Sequence, residues 1–208
     1  MKNIQPKILS YSRLTNQQLI LNGETLLQNK ELLSNDWLSN IYKYIKMDYP
    51  KFFKMDRLSK AGILASEIVM NHLAQNSSEV KDNWAICCFN HAASLDDDLA
   101  YQKTIEPDNF YPSPSVFVYT LANIVTGEIA IKYKIKGETS FYVSEQFSPT
   151  LYIESVQNIF NDSPDIDYIM GGWVEYLENQ CDVLMMIVAR ECDGSSLDLN
   201  EENLKKLI

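Results

Sequence analysis

No apolar run in this chain is long enough to cross a bilayer: the longest, VLMMIVA at Val183–Ala189, is far too short. Positive charge is scarce as well. Eighteen basic against 28 acidic residues leave a net charge of −10, which argues against nucleic acid or an anionic membrane as the main partner. The opening residues MKNIQPKILSYSR lack both a long apolar stretch and a small-residue cleavage site, so no signal peptide is expected and the default location is cytoplasmic. There are two histidines and four cysteines. His72 falls on the apolar stripe of a helical segment, where a packed core or boundary histidine is the ordinary reading. No internal repeat and no low-complexity linker is visible. Hydrophobic residues make up 46% of the chain, ample for a core, and 208 residues suit one domain or one half of a larger two-part architecture.

The cysteines do not suggest a metal. Cys87 and Cys88 are adjacent in WAICCFN, which reads as a buried strand, so their side chains point to opposite faces. Cys88 and His91 have a C-x-x-H spacing, with Cys181 and Cys192 as distant candidates. Buried free cysteine is the commoner outcome, and no metal site is expected. Asp96, Asp97 and Asp98 open a helix, where the macrodipole favours acids without any need for a cation.

Along the chain, KILSY (7–11) is a short strand, and Asn22-Gly23 between two apolar runs signals a hairpin. Residues 36–47 read as a helix with Leu38, Ile41, Tyr42 and Ile45 on one face. A second helix follows Asp56, with Leu58, Ala61, Ala65, Ile68 and His72 recurring at spacings of three and four. NWAICCFN is an unbroken apolar strand, as in a sheet covered on both faces. SLDDDLAYQKTI starts a helix. After the break at YPSPS an apolar, helical segment runs from Val116 to about Lys134, ended by Gly137. GETSFYVSEQFSP then reads as a strand, a sharp turn and a helix start, with Ser148 as N-cap and Pro149 at the first helical position. DYIMGGWVEY and VLMMIVARE are two further strands, and a polar C-terminal stretch ends in a short helix. Only LENQC separates the last two strands, too little for a parallel crossover, so the fifth strand should run antiparallel to the fourth. The expected fold is a mixed five-stranded α/β sheet with helices packed on it.

A turn of the SEQFSP kind often presents a nucleophile at a helix N-terminus, yet Glu145, Gln146 and Phe147 hold the candidate positions. At this point a family enters. SPSVFVYTLANIVTGEIAIKYKIKGETSFYVSEQ resembles the N-terminal half of β-ketoacyl synthases, members of the thiolase superfamily. There an Asn precedes a G-x-I-A-I segment, then a Gly, then the strand leading to the active-site Cys. Asn123, Gly127, Ile129, Ala130, Ile131 and Gly137 occupy those places here. FFKMDRLSKAGILASEIVM resembles the family's early helix, and DYIMGGWVEY its Gly-rich strand, ending on Glu175. The resemblance covers about residues 50 to 176 well and the first 50 weakly.

The same pattern, counted nine residues on from Gly137, places Gln146 at the nucleophile position. Gln forms no thioester, so acyl transfer through this position is chemically excluded. Among relatives a Gln here marks chain-length factors, the inactive partners of ketosynthase heterodimers. The wording is most similar to short synthase-like proteins of aryl-polyene and flexirubin clusters. Family enzymes take two catalytic histidines from a second half, which His72 and His91 do not match. The resemblance therefore implies half a thiolase-like fold: residues 1–208 as a single domain, the C-terminal catalytic half absent, and no catalytic residue or cofactor. It implies a subunit that pairs with an active, full-length β-ketoacyl synthase in fatty acid or polyketide biosynthesis, or with itself as a homodimer. The interface would be the edge strand with Thr139, Phe141, Tyr142 and Val143, and the pocket Asn123, Gln146 and Phe147. Acyl carrier protein would be met only indirectly, because the basic groups Lys51, Lys54, Arg57, Lys60 and Lys132, Lys134, Lys136 read as solvated faces. Two other readings stand beside this one: a stand-alone homodimeric module binding acyl or polyene chains, and a thioester hydrolase built from Cys88 and His91.

Overall fold

The strand Trp84–Asn90 is buried at every residue, and the rest of the fold is arranged around it. In the computed structural model, which describes residues 5–29, 37–74, 79–105, 108, 111–192 and 196–208, this strand (β4) has a parallel neighbour on each side. Thr139–Val143 (β5) pairs with one edge and Tyr168–Leu177 (β6) with the other. Gln180–Ala189 (β7) then pairs antiparallel with β6. The connecting residues Glu178 and Asn179 both have positive φ, 50° and 64°, the two-residue turn whose twist suits adjacent antiparallel strands. The antiparallel relation expected from the short LENQC link is what forms.

Lys7–Thr15 (β1) joins the far side of β7, and its burial alternates residue by residue. Gln18–Leu21 (β2) and Glu24–Gln28 (β3) continue the sheet as a hairpin. Its turn is Asn22-Gly23, at φ 48° and 87°. The short strand Leu197–Asp198 (β8) adds to β1. The order is therefore β3-β2-β1-β7-β6-β4-β5, with β8 beside β1. Among the described residues eight strands stand where five were expected. The hairpin contributes two and β8 the third, whose two residues are recruited by pairing with a strand at the opposite end of the chain. Such pairing leaves no local periodicity to read.

Seven α-helices are described: α1 (Trp37–Tyr44), α2 (Arg57–His72), α3 (Leu95–Gln102), α4 (Pro114–Phe117), α5 (Ile124–Tyr133), α6 (Pro149–Asp162) and α7 (Glu201–Leu207). No single one is long and apolar enough to cross a membrane. Two cores result, one on each face of the sheet. Cys88, Ile86 and Met185 face the first with α1, α2 and α5; Cys87, Phe89 and Leu184 face the second with α6 and α7. The adjacent cysteines thus separate to opposite faces, as the pleat requires. The α2 helix begins at Asp56, whose carboxylate accepts from Ser59 N. Leu58, Ala61, Ala65 and Ile68 are buried, whereas His72 is exposed and bonds Asn22. Gly171 and Gly172 let β6 crowd both neighbours. A Cβ on the first would strike the Cys87 carbonyl of β4, and one on the second, at φ 143°, the Leu184 carbonyl of β7.

Three expectations need correction. The helix expected at 36–47 is α1, Trp37–Tyr44 (Asp36 lies outside the described residues). The apolar segment from Val116 is broken: α4 runs into a 3₁₀ turn, Val118–Thr120, and the chain bends by 98° before α5. Asn123 restarts the helix, its carbonyl accepting from Thr126 Oγ1 and Gly127 N. The helix then ends at Lys134 in the left-handed conformation, not at Gly137. A Cβ at Gly137 would collide with the Trp84 backbone, so that glycine serves the approach of β5 to β4.

The C-terminus of α6 is closed by a single side chain. The Arg190 guanidinium donates to the carbonyls of Phe160, Ser163 and Ile166, each at 2.7 Å. It also lies over the Phe160 ring. These are charge-assisted bonds to orphan helix-end carbonyls. Arg190→Ala should therefore cost about 2 kcal/mol in chemical denaturation. Arg190→Lys should recover less than half, because an ammonium cannot span three carbonyls.

Candidate functional site

The parallel strands β4, β5 and β6 all end on one side of the sheet, where crevices form in α/β folds. The β5–α6 turn closes this end. Ser144 N donates to the Asn90 carbonyl (2.9 Å) and Ser144 Oγ to the Gln146 carbonyl (3.0 Å). Ser148 caps α6 by accepting from Leu151 N, and Pro149 takes the first helical position, as expected. The loop after β4 is fixed from the other side. Asn90 exchanges side-chain bonds with Ala93, whose φ is 51°. The Glu175 carboxylate accepts from His91 N (2.6 Å) and Ala92 N (3.1 Å). The acid near the end of the Gly-rich strand thus fastens the loop beside the turn.

Between turn and loop lies an open cleft of about 400 Å³, lined by Arg13, His91, Glu145, Gln146, Phe147, Trp173, Asp182, Leu184 and Ile208. Its floor is aromatic: the Phe147 ring packs 6.2 Å from Trp173 and 5.7 Å from Tyr152. Arg13 is ion-paired with Asp182. Gln146 and His91 are exposed at the rim. Among the described residues, those lining the cleft carry no thiol, hydroxyl or lysine amine. The cleft therefore presents an amide, an imidazole, the Glu145 carboxylate and the Arg13–Asp182 ion pair.

Of the residues singled out from the sequence, the cleft gathers Gln146 and Phe147 but not Asn123. Asn123 is exposed at the start of α5. Thr139, Phe141, Tyr142 and Val143 lie on β5, which ends the sheet's path. Thr139, Tyr142 and Val143 are exposed; Phe141 is half-buried against the first core. Tyr142 stacks on Phe89 at 4.8 Å. Several of the basic residues have internal partners: Lys51 is ion-paired with Glu128 and Lys132 with Glu67, Arg57 bonds Asn179, and Lys60 lies over the Phe52 ring. Arg13, Trp173 and Asp182 were not legible as cleft residues, because strands far apart in sequence bring them there.

The cysteines stay apart from this site. Cys88 is fully enclosed in the first core, while His91 lines the cleft with residues of the second. Burial pushes the Cys88 thiol up to about 12, and raises Cys87 and Cys181 as well. Among the described residues no group of three or more His, Cys, Asp or Glu side chains is placed to hold a metal.

No family model matches the sequence, and no curated protein matches it. Solved structures do. The chain superposes on the ishigamide ketosynthase/chain length factor with a TM-score of 0.65 at 14% identity, over 89% of this chain and 62% of that one. A second match is a ketosynthase (ApeO) in complex with its chain length factor (ApeC) from Xenorhabdus doucetiae, with a TM-score of 0.57, 8% identity, and 91% and 81% coverage. A third is AntDE:AntF, a type II PKS acyl-carrier protein in complex with its ketosynthase bound to the hexaketide, at 0.60 and 8%, over 90% and 62%. The fold is the thiolase-like one of ketosynthase/chain-length-factor structures. The chain spans less than two thirds of the length of the first and third of these, and four fifths of the second.

The burial of the thiols gives a direct check. Iodoacetamide at pH 8 should leave Cys87, Cys88 and Cys181 unmodified in the native protein over a period that labels all of them in denaturant. Peptide mass spectrometry reads the difference. Rapid native labelling of Cys88 would restore it as a nucleophile.

Proposed function

We propose that this chain is a non-catalytic, chain-length-factor-like subunit that pairs with an active β-ketoacyl synthase in polyketide- or fatty-acid-type chain assembly, of the aryl-polyene kind. One observation carries the reading: the β5–α6 turn is built in full, with its serine bonds, helix cap and proline, yet holds Gln146 at the nucleophile position. A polypeptide retaining an active-site turn without its nucleophile retains a shape. The relative described as a ketosynthase in complex with its chain length factor supports the reading, since the matched chain there is little longer than this one. The hydrolase alternative loses its nucleophile to the core, as Cys88 is buried away from His91.

The second support is the sheet edge. Among the described residues β5 pairs on one side only, and it exposes Tyr142 and Val143, at 42% and 56% of their full surface. A flat apolar edge invites pairing or aggregation, and a ketosynthase strand laid against it removes that liability. Carrier protein would then be met through the ketosynthase, since this chain is acidic overall and Lys51 and Lys132 are engaged internally.

Tagged chain expressed in its native cells should co-purify with one ketosynthase in near-equal amount, identified by mass spectrometry. Val143→Asp should abolish that recovery while leaving the thermal midpoint within a few degrees, because Val143 is outside both cores. It is a cleaner probe than Phe141→Asp, which also disturbs the first core. Recovery of the chain as a monomer, with no synthase, would overturn the proposal; a homodimer lost in Val143→Asp would favour the self-paired acyl-binding module. Gln146→Cys alone should yield no β-ketoacyl product from malonyl and acyl carrier substrates, since no imidazole pair faces the turn. Product formation would refute the non-catalytic reading.

A further inference from the structure

The α3 helix carries its leucines outward and two of its acids inward. Leu95, Asp98, Leu99 and Gln102, at spacings of three and four, are all exposed and form one stripe. Asp96 and Asp97 instead line a cleft of about 500 Å³ with Arg57, Lys60 and Lys103. A helix solvated on its outer side shows the reverse arrangement, leucines inward and acids outward. The elements beside it share this character. No residue of α3, α4 or the 3₁₀ turn Val118–Thr120 is buried. Leu95, Leu99, Phe117, Val118 and Leu121 keep between 44% and 55% of their full surface. Two contacts hold these elements together: Ser94 Oγ donates to the Thr120 carbonyl at 2.6 Å, and Tyr101 packs on Phe117 at 5.3 Å. The α5 helix touches both the 3₁₀ turn and β5, and it exposes Ile131. Exposed apolar side chains thus lead from α3 by way of α5 to the open sheet edge.

We propose that the ketosynthase seated on β5 also covers the α3–α4 surface, with basic side chains of that partner facing Asp98. This second contact rests on the pairing proposed above. Size calls for it: a stable interface takes about 20–30 residues from each partner, and β5 has five. The exposed leucines, Phe117 and Val118 are the apolar area that such an interface buries at its centre. Charge selects the occupant. Asp98 lies within the leucine stripe of a chain whose net charge is −10. A second copy would bring a surface of the same sign, and so would an anionic bilayer. A synthase surface with a basic rim meets both the leucines and the acid.

The complex recovered from native cells tests this. Asp98→Lys and Leu99→Asp, both at exposed positions, should each lower ketosynthase recovery about tenfold or more. The thermal midpoint of either variant alone should stay within a few degrees of wild type. Hydrogen exchange gives a second measurement that needs no substitution. The α3 amides should exchange about tenfold more slowly in the wild-type complex than in the isolated chain. The amides of α7, which packs on the second core, should be unchanged. Full recovery in both variants, or α3 exchange unaltered by the partner, would overturn the α3 contact. If Val143→Asp still abolishes recovery in that case, the pairing through β5 stands without it. A wild-type chain that brings down no ketosynthase would overturn both.

Discussion

Burial of β4 on both faces is the constraint from which the remaining structure follows. Seven consecutive enclosed residues need helices on each side of the sheet and a hydrogen-bonded strand along each edge. The pleat then divides the strand's side chains between two cores that share only the sheet. Because β5 and β6 both run parallel to β4, each must return by a helical crossover. The crossovers place α5 on the first face and α6 on the second. All three strands deliver their C-terminal ends to one side, and the cleft is the gap left there. Neither the position of Gln146 nor the openness of the β5 edge is a separate fact. Both are consequences of which strands flank β4.

The close approach of β6 to its neighbours depends on Gly171 and Gly172, and a side chain at either would drive the strand off β4 or β7. The same strand carries Glu175 two residues before its end, and that carboxylate collects two backbone N–H groups of the loop after β4. One strand therefore sets both the spacing of the sheet and the rim of the cleft. This explains why the loop and the β5–α6 turn are held in register although they belong to different crossovers.

Local chemistry made much of this legible in the sequence. Asn22-Gly23 specified the hairpin, the brevity of LENQC specified an antiparallel return, and Ser148-Pro149 specified the start of α6. Adjacency alone sent Cys87 and Cys88 to opposite faces. What stayed hidden depends on partners remote in sequence. β8 forms only because β1 offers an edge, and Leu199 and the α7 residue Leu204, lost among polar neighbours, are buried in the second core. The apolar stretch from Val116 read as one helix because hydropathy carries no record of a bend. The break is set by Ser94 reaching from α3 and by Asn123 restarting the helix. Asn123 matched a family position yet lies away from the cleft.

The β5–α6 turn holds interactions that fix its shape: two Ser144 bonds, the Ser148 helix cap, a proline at the first helical position, and Phe147 packed against Trp173 and Tyr152. Burial of the Phe147 ring ties the turn to the second core, so any displacement of the turn opens apolar surface there. The edge strand β5 leads directly into that turn. A partner strand paired along β5 would add hydrogen bonds to a backbone already continuous with Ser144 and would limit the turn's motion further. Occupation of the edge and the geometry of the cleft are mechanically one variable, because only Glu138 and the five residues of β5 separate Gly137, locked against Trp84, from the turn itself.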